Sequence, residues 1–320
     1  MKKKIAAGIL AVLVLVIFLG PRVKVDQNVV LPEIGPDVEK YVRDSEARFT
    51  DIKPGAEKLI VWNNPAKKDR TPVSIIYLHG FSACRQEVAP LCDIVAKRLG
   101  ANLFYARLRG HGRTADAMKG ITVNDWLTDT AEAVEIGRRI GGKVVIISTS
   151  TGGTLTAWYG ATREPKDVLA AVMISPNFWP SRPEARIMTW PWGKQLARMI
   201  LGEYRTWKPQ SDKHALYWNY RQPSEITVTM MGLVDMVKGL DFSRFRTPLM
   251  MIVSPRDRVI NSGLAKERFA QASSAPKRLL EVTDSVDQSQ HVLAGDILSP
   301  NTTERIAGEI VGFLRPLAAR

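Results

Sequence analysis

From Ala56 onward the chain repeats one pattern: a short apolar run, a polar break, then a longer segment with apolar residues at helical spacing. The runs are EKLIVW, VSIIYLHG, NLFYARLRG, KVVIIS, LAAVMISP, PLMMIVSP and RLLEVTDS. Between them stand RQEVAPLCDIVAKRLG, VNDWLTDTAEAVEIGRRIG, GGTLTAWYGATRE, LAKERFAQASS and TTERIAGEIVGFLRPL, read as helices, the second capped by Thr122 and Asp125. Strands that are apolar throughout and alternate with helices predict a mostly parallel sheet covered on both faces. Such sheets carry their ligand sites beyond the carboxyl ends of the strands.

One interval breaks the rhythm. Between Pro176 and Pro248 about seventy residues show no clear strand, yet they hold Trp179, Trp190, Trp192, Trp207 and Trp218, five of the chain's eight tryptophans. Residues 177–245 therefore read as an inserted helical cap, with most of these rings serving as its own core. The pattern divides the rest into a core of residues 56–176 and 246–320 and a preceding stretch, 27–55. There VKVDQNVVLPEIG reads as an extended stalk and PDVEKYVRDSEARF as a short amphipathic helix. No internal repeat or low-complexity segment occurs.

The first 26 residues differ from all of this. MKKK precedes an uncharged, mostly apolar run from Ile5 to Gly20, about 24 Å long as a helix. The run has no polar face and no Ala-x-Ala cleavage pattern. It predicts an uncleaved membrane anchor, with the alternative of a removed signal peptide and a secreted protein. Lys2, Lys3 and Lys4 place the N-terminus in the cytoplasm and the bulk of the chain outside it, periplasmic in a bacterium, although Arg22 and Lys24 weaken that bias.

Composition adds little to the fold but narrows the partners. Hydrophobic residues at 45% and charged residues at 24% describe a globular chain. The net charge of +13 is spread along the sequence without a nucleic-acid-binding motif, so no nucleic-acid partner is expected, and a solvated surface near anionic lipid fits better. The only cysteines, Cys84 and Cys92, form no metal or redox pattern and read as two packed thiols rather than a bridge.

The chemistry lies where KVVIIS runs on as TSTGG, a strand ending in Ser148, Thr149, Ser150 and Thr151 before two glycines. A nucleophile raised on a tight strand-to-helix turn needs small residues two before and two after it. Ser150 has Ser148 and Gly152 there; Ser148 is blocked by Ile146, and Thr149 and Thr151 carry a crowding methyl group. Serine requires a base and a group to orient that base. Among the four histidines, His291 lies after the last strand and before the final helix, and is the natural base. His79 ends a strand just before Gly80 and Phe81, where a backbone N–H would face a developing oxyanion; His111 reads as a loop-stabilising residue and His214 as a cap residue. For the acid, Asp257 directly follows the strand PLMMIVS, whereas Asp241 precedes that strand, Asp284 closes the last one and Asp296 reads as a cap or loop ligand.

The order Ser150, Asp257, His291, preceded by H-G-F and with S-x-S-x-G at the turn, resembles the α/β-hydrolase family from about Ala56 to the C-terminus, apart from most of the cap. Within it the chain is most similar to esterases and to lysophospholipase or monoacylglycerol lipase-like members. The resemblance implies an eight-stranded, mostly parallel sheet, a cap over the active site, and an oxyanion hole formed by the N–H groups of Phe81 and Thr151. It implies a serine hydrolase that cleaves carboxylic esters, acyl or lipid-like, through an acyl-enzyme, with no metal or organic cofactor. Ser148 replaces the usual first glycine of G-x-S-x-G, and Arg107 stands where many relatives have aspartate in D-x-R-G-H-G. Thioesterase or peptidase activity of the same fold, and a non-catalytic binding protein, remain as alternatives. Neither the acyl chain, the headgroup nor the oligomeric state is legible.

Overall fold

The computed structural model describes residues 3–5, 16 and 18–319. The apolar runs form strands β1 (Leu59–Val61), β2 (Thr71–Leu78), β3 (Asn102–Tyr105), β4 (Gly141–Thr149) and β5 (Val168–Ile174). Further along the chain come β6 (Tyr204–Thr206), β7 (Arg221–Pro223), β8 (Leu249–Val253) and β9 (Lys277–Glu281). Helices are α1 (Val38–Ala47), α2 (Leu91–Leu99), α3 (Val123–Ile140), α4 (Thr151–Arg163), α5 (Gly193–Leu201), α6 (Asp212–Tyr217), α7 (Glu225–Lys238), α8 (Ser262–Gln271) and α9 (Pro300–Ala318).

Among the described residues the main sheet has seven strands, not the eight that the resemblance implied, in the order β1-β3-β2-β4-β5-β8-β9. Only β1 pairs antiparallel; every other neighbour in that sheet is parallel. Side chains alternate across a strand, and β4 shows how the core follows. Val144 and Ile146 face an apolar layer shared with α3 and α4, while Val145 and Ile147 face the layer of α2 and α9. Both faces are thus covered, which is why these strands are apolar throughout rather than alternating.

The capping box expected at Thr122 and Asp125 opens α3. RQEVAPLCDIVAKRLG is not one helix: a 3-10 turn, Arg85–Glu87, precedes α2, and Pro90 sits at the N-cap. Cys84 and Cys92 are both buried free thiols. Residues 177–245 also contain strands that their pattern hid, since β6 and β7 pair antiparallel over three residues each, too short for any periodicity to register.

The predicted membrane anchor is corrected: among the described residues no helix is long and apolar enough to cross a membrane. Most of the run on which that expectation rested, residues 6–15 and 17, lies outside the described residues. The stretch that follows packs on protein instead of standing off as a stalk. The Trp192 indole N–H donates to the Val16 carbonyl at 2.9 Å and the Trp192 backbone N–H to Pro21 at 2.9 Å. Val23, Val25 and Val29 then lie against the core, and the Trp158 indole N–H donates to Gln27 Oε1 at 3.1 Å.

Candidate active site

The turn from β4 into α4 is as tight as its sequence suggests. Ser150 adopts φ 51° and ψ −114°, a backbone region that non-glycine residues rarely enter and that is sustained only by surrounding contacts. Its N–H donates to Ile174 O at 2.9 Å, and its carbonyl accepts from Thr154 and Asn177 N–H, both at 3.1 Å. Gly152 has no room for a side chain, since a Cβ there would stand 2.0 Å from the Leu78 carbonyl oxygen. Helix α4 is thereby drawn onto β2, with its free N-terminal N–H groups beside the serine. Ser82, Ser175 and Gln290 also have positive φ, so backbone strain gathers at the carboxyl rim of the sheet.

His291 and Asp257 meet on the same rim. His291 Nδ1 lies 2.8 Å from Asp257 Oδ2, and the Asp257 side chain is wholly shielded from solvent. The other Asp257 oxygen accepts N–H groups of Val259 and Ile260 at 2.8 and 2.9 Å. Burial alone would push the His291 pKa down, but the Asp257 charge and hydrogen bond, joined by Glu87 and Asp287, hold it above the ordinary histidine value near 6.5. The Asp257 contact places the proton on Nδ1 and leaves Nε2 as the acceptor. Two consecutive residues at the end of β5 tie the base to the nucleophile's loop. Ile174 O accepts the Ser150 N–H, and Ser175 Oγ donates to His291 O at 2.8 Å.

His79 is fully buried and neutral, its pKa pushed down to about 4 by burial. Its Nε2 accepts Leu108 N–H at 3.0 Å, so Nδ1 carries the proton and donates to Gly80 O at 2.9 Å. In a trans peptide the C=O and the following N–H point opposite ways; fixing Gly80 O therefore also aims the Phe81 N–H. A Cβ on Gly80 would stand 3.2 Å from Ser150 Cβ, which places this loop against the serine.

Of the remaining candidates, His111 is buried beside the rings of His79, Phe81 and Trp126, and its Nδ1 lies 3.2 Å from Arg109 O. His214 packs between Trp207 and Trp218, and its Nδ1 accepts the Gln210 N–H at 3.2 Å. Asp241 caps a short 3-10 turn, Asp284 pairs with Arg305 at 2.6 Å and Asp296 is exposed. Arg107 finds a carboxylate elsewhere: Glu46 of α1 accepts from its Nη2 at 2.7 Å and its Nε at 2.8 Å.

Sequence reasoning missed Asp287. Its Oδ2 accepts the N–H groups of His291 and Val292 at 2.9 and 3.0 Å, and its Oδ1 accepts from Gln210 Nε2 at 2.8 Å. Burial works to raise the Asp287 pKa, but hydrogen bonds from Ser289, Gln210 and the His291 backbone outweigh it and keep the carboxyl below its ordinary range. The signal was an aspartate four residues before the base, where it can fold back on the loop's own N–H groups. Residues 177–245 meet the rim through backbone and side chains alike. Besides the Asn177 bond to Ser150 O and that Gln210 bond, Asn219 N–H donates to Ser82 O at 2.7 Å, Ser181 N–H donates to Val259 O at 2.9 Å, and Trp218 packs with Ala83 and Val292.

Sheet order and strand-end site together define an α/β-hydrolase fold. Residues 70–286 match the family model described as serine aminopeptidase, S33, and the chain belongs to that family. It is 27% identical over 242 residues to a thermostable monoacylglycerol lipase of Bacillus sp. (strain H-257), covering 75% of this chain and 91% of that protein. Among solved structures it is similar to the metagenome-derived lipolytic enzymes LipS and LipT, with a TM-score of 0.66 and 21% identity over 83% of this chain and 99% of that one. A soluble variant of monoglyceride lipase from Saccharomyces cerevisiae gives a TM-score of 0.63 and 13% identity over 93% of this chain and 99% of that one.

Proposed function

We propose that Ser150, His291 and Asp257 are the catalytic triad of this hydrolase, that the N–H groups of Phe81 and Thr151 form its oxyanion hole, and that its substrates are acyl or lipid-like esters. The chain is a serine hydrolase acting on ester bonds; the residue roles and the lipid-like substrate are the proposal. The observation that carries it is the 2.8 Å contact of His291 Nδ1 with a shielded Asp257, on the rim where Ser150 occupies a strained turn.

In this reading His291 Nε2 takes the Ser150 proton as Oγ attacks the acyl carbonyl, and Asp257 stabilises the imidazolium. The oxyanion is held by the two N–H groups, each worth about 3 kcal/mol of barrier. Collapse expels the alcohol, protonated by His291, and leaves an acyl-enzyme. Water, losing a proton to His291, then releases the acid. We propose further that residues 56–176 and 246–320 act as the catalytic core and 177–245 as a cap over it. The relatives named as monoacylglycerol lipases support acyl esters of small alcohols.

Hydrolysis of aryl esters graded from two to twelve acyl carbons, with an aminoacyl anilide alongside, tests this reading. Turnover of esters that vanishes in Ser150→Ala is the expected result. Anilide cleavage without ester cleavage would overturn the substrate class, and full ester turnover by Ser150→Ala would overturn the triad.

A further inference from the structure

Glu87 is a buried carboxyl that the proposed reaction leaves unused. It ends the 3-10 turn Arg85–Glu87 and is 2% exposed. Its Oε2 accepts the Gly80 N–H at 2.7 Å and the Tyr77 hydroxyl at 2.8 Å. A side chain on Gly80 would begin 2.6 Å from Glu87 Oε1 and 3.2 Å from Ser150 Cβ, so Gly80 is all that separates this carboxyl from the serine. On the other side, a Cβ on Gly295 would stand 2.5 Å from Glu87 O, and Asp296 N–H donates to Ala89 O at 2.9 Å. The turn is therefore wedged between the loop carrying Phe81 and the loop carrying His291.

We propose that Glu87 is a positioning residue for the reaction assigned to Ser150: its carboxylate anchors Gly80, and with it the Phe81 N–H, while its charge adds to that of Asp257 in favouring the His291 imidazolium. The inference rests on the triad reading above. Gly80 is gripped at both ends, its N–H by Glu87 and its carbonyl by His79 Nδ1, which leaves the following N–H one direction to face. Burial dominates and leaves the Glu87 pKa above the ordinary glutamate value, though the Gly80 and Tyr77 bonds and the His291 charge oppose it; His291 in turn is raised by Glu87. Each group thus favours the charged form of the other. The charged or titratable groups facing the pair are Tyr77 on β2 and Cys84 ahead of the Arg85–Glu87 turn, toward Glu87, and Asp257 after β8 and Asp287 on the His291 loop, toward the imidazole.

Glu87→Gln keeps an acceptor for Gly80 and removes the charge. The test measures kcat, KM and the pH profile of kcat/KM on a short aryl ester for wild type, Glu87→Gln and Tyr77→Phe. For Glu87→Gln we expect kcat to fall about tenfold with KM changed less than about twofold. The acid limb should move down by roughly half a pH unit or more. Tyr77→Phe removes a donor that stabilises the carboxylate and should move the limb the same way by less. An unmoved limb in Glu87→Gln overturns the inference, whether or not kcat falls; if that variant does not fold, an unmoved limb in Tyr77→Phe overturns it. Fluorophosphonate labelling of wild type but not of Ser150→Ala keeps the triad reading intact in those cases, and its failure condemns that reading instead.

Discussion

The rim of the sheet and residues 177–245 are built by different means. On the rim, Ser150, His291 and Asp257 are held by hydrogen bonds to strand-end carbonyls and loop N–H groups, and strained φ angles persist there because packing allows no alternative. Residues 177–245 consist of short pieces, two paired three-residue strands and helices of six to fourteen residues, with Trp190 53% exposed. A rigid rim suits chemistry that tolerates little displacement. Under the proposed cap role, rate belongs to the rim and selectivity to the apolar lining of this segment, although its backbone is bonded to the rim and α7 packs into the main core.

The strongest way to break this contrast is on the rim. Ser150→Ala should lower kcat/KM for aryl esters by about 10⁴-fold or more with an unchanged unfolding midpoint. Asp257→Asn should lower kcat by about 10³ to 10⁴-fold, with KM held, because the wrong His291 tautomer would face the serine. Gly152→Ala should destabilise the fold by about 3 kcal/mol or more, read from urea unfolding, since its Cβ would meet the Leu78 carbonyl at 2.0 Å. Removing a ring from residues 177–245 should do less to rate. Trp218→Ala should raise KM for long-chain esters several-fold and leave kcat for a short ester within about threefold. The smallest effect concerns pH: because His291 must be neutral to act as base and its pKa is raised, kcat/KM should be lost as pH falls, with an acid limb above the ordinary value near 6.5.

The same contrast explains what the sequence allowed. The placement of Ser150, Asp257 and His291 on one edge was legible because each follows an apolar strand or its loop, and parallel topology brings strand ends to one edge. Glycines at 152 and 153 signalled a close approach that occurs. Asp287 and Glu87 carried no comparable mark, since their partners are backbone N–H groups fixed only when the loops fold. Strands β6 and β7 were too short to show a period of two, and the strand count followed a family resemblance that the described residues do not match in full. An apolar run read in isolation suggested an anchor; no described helix meets that length and polarity.

The most direct measurement is peptide mass mapping of the protein after reaction with a fluorophosphonate. A single adduct on the peptide carrying Ser150, formed far more slowly in His291→Ala, is the outcome expected here. An adduct on another residue, or equal labelling with and without the His291 imidazole, would contradict a nucleophile activated across this rim.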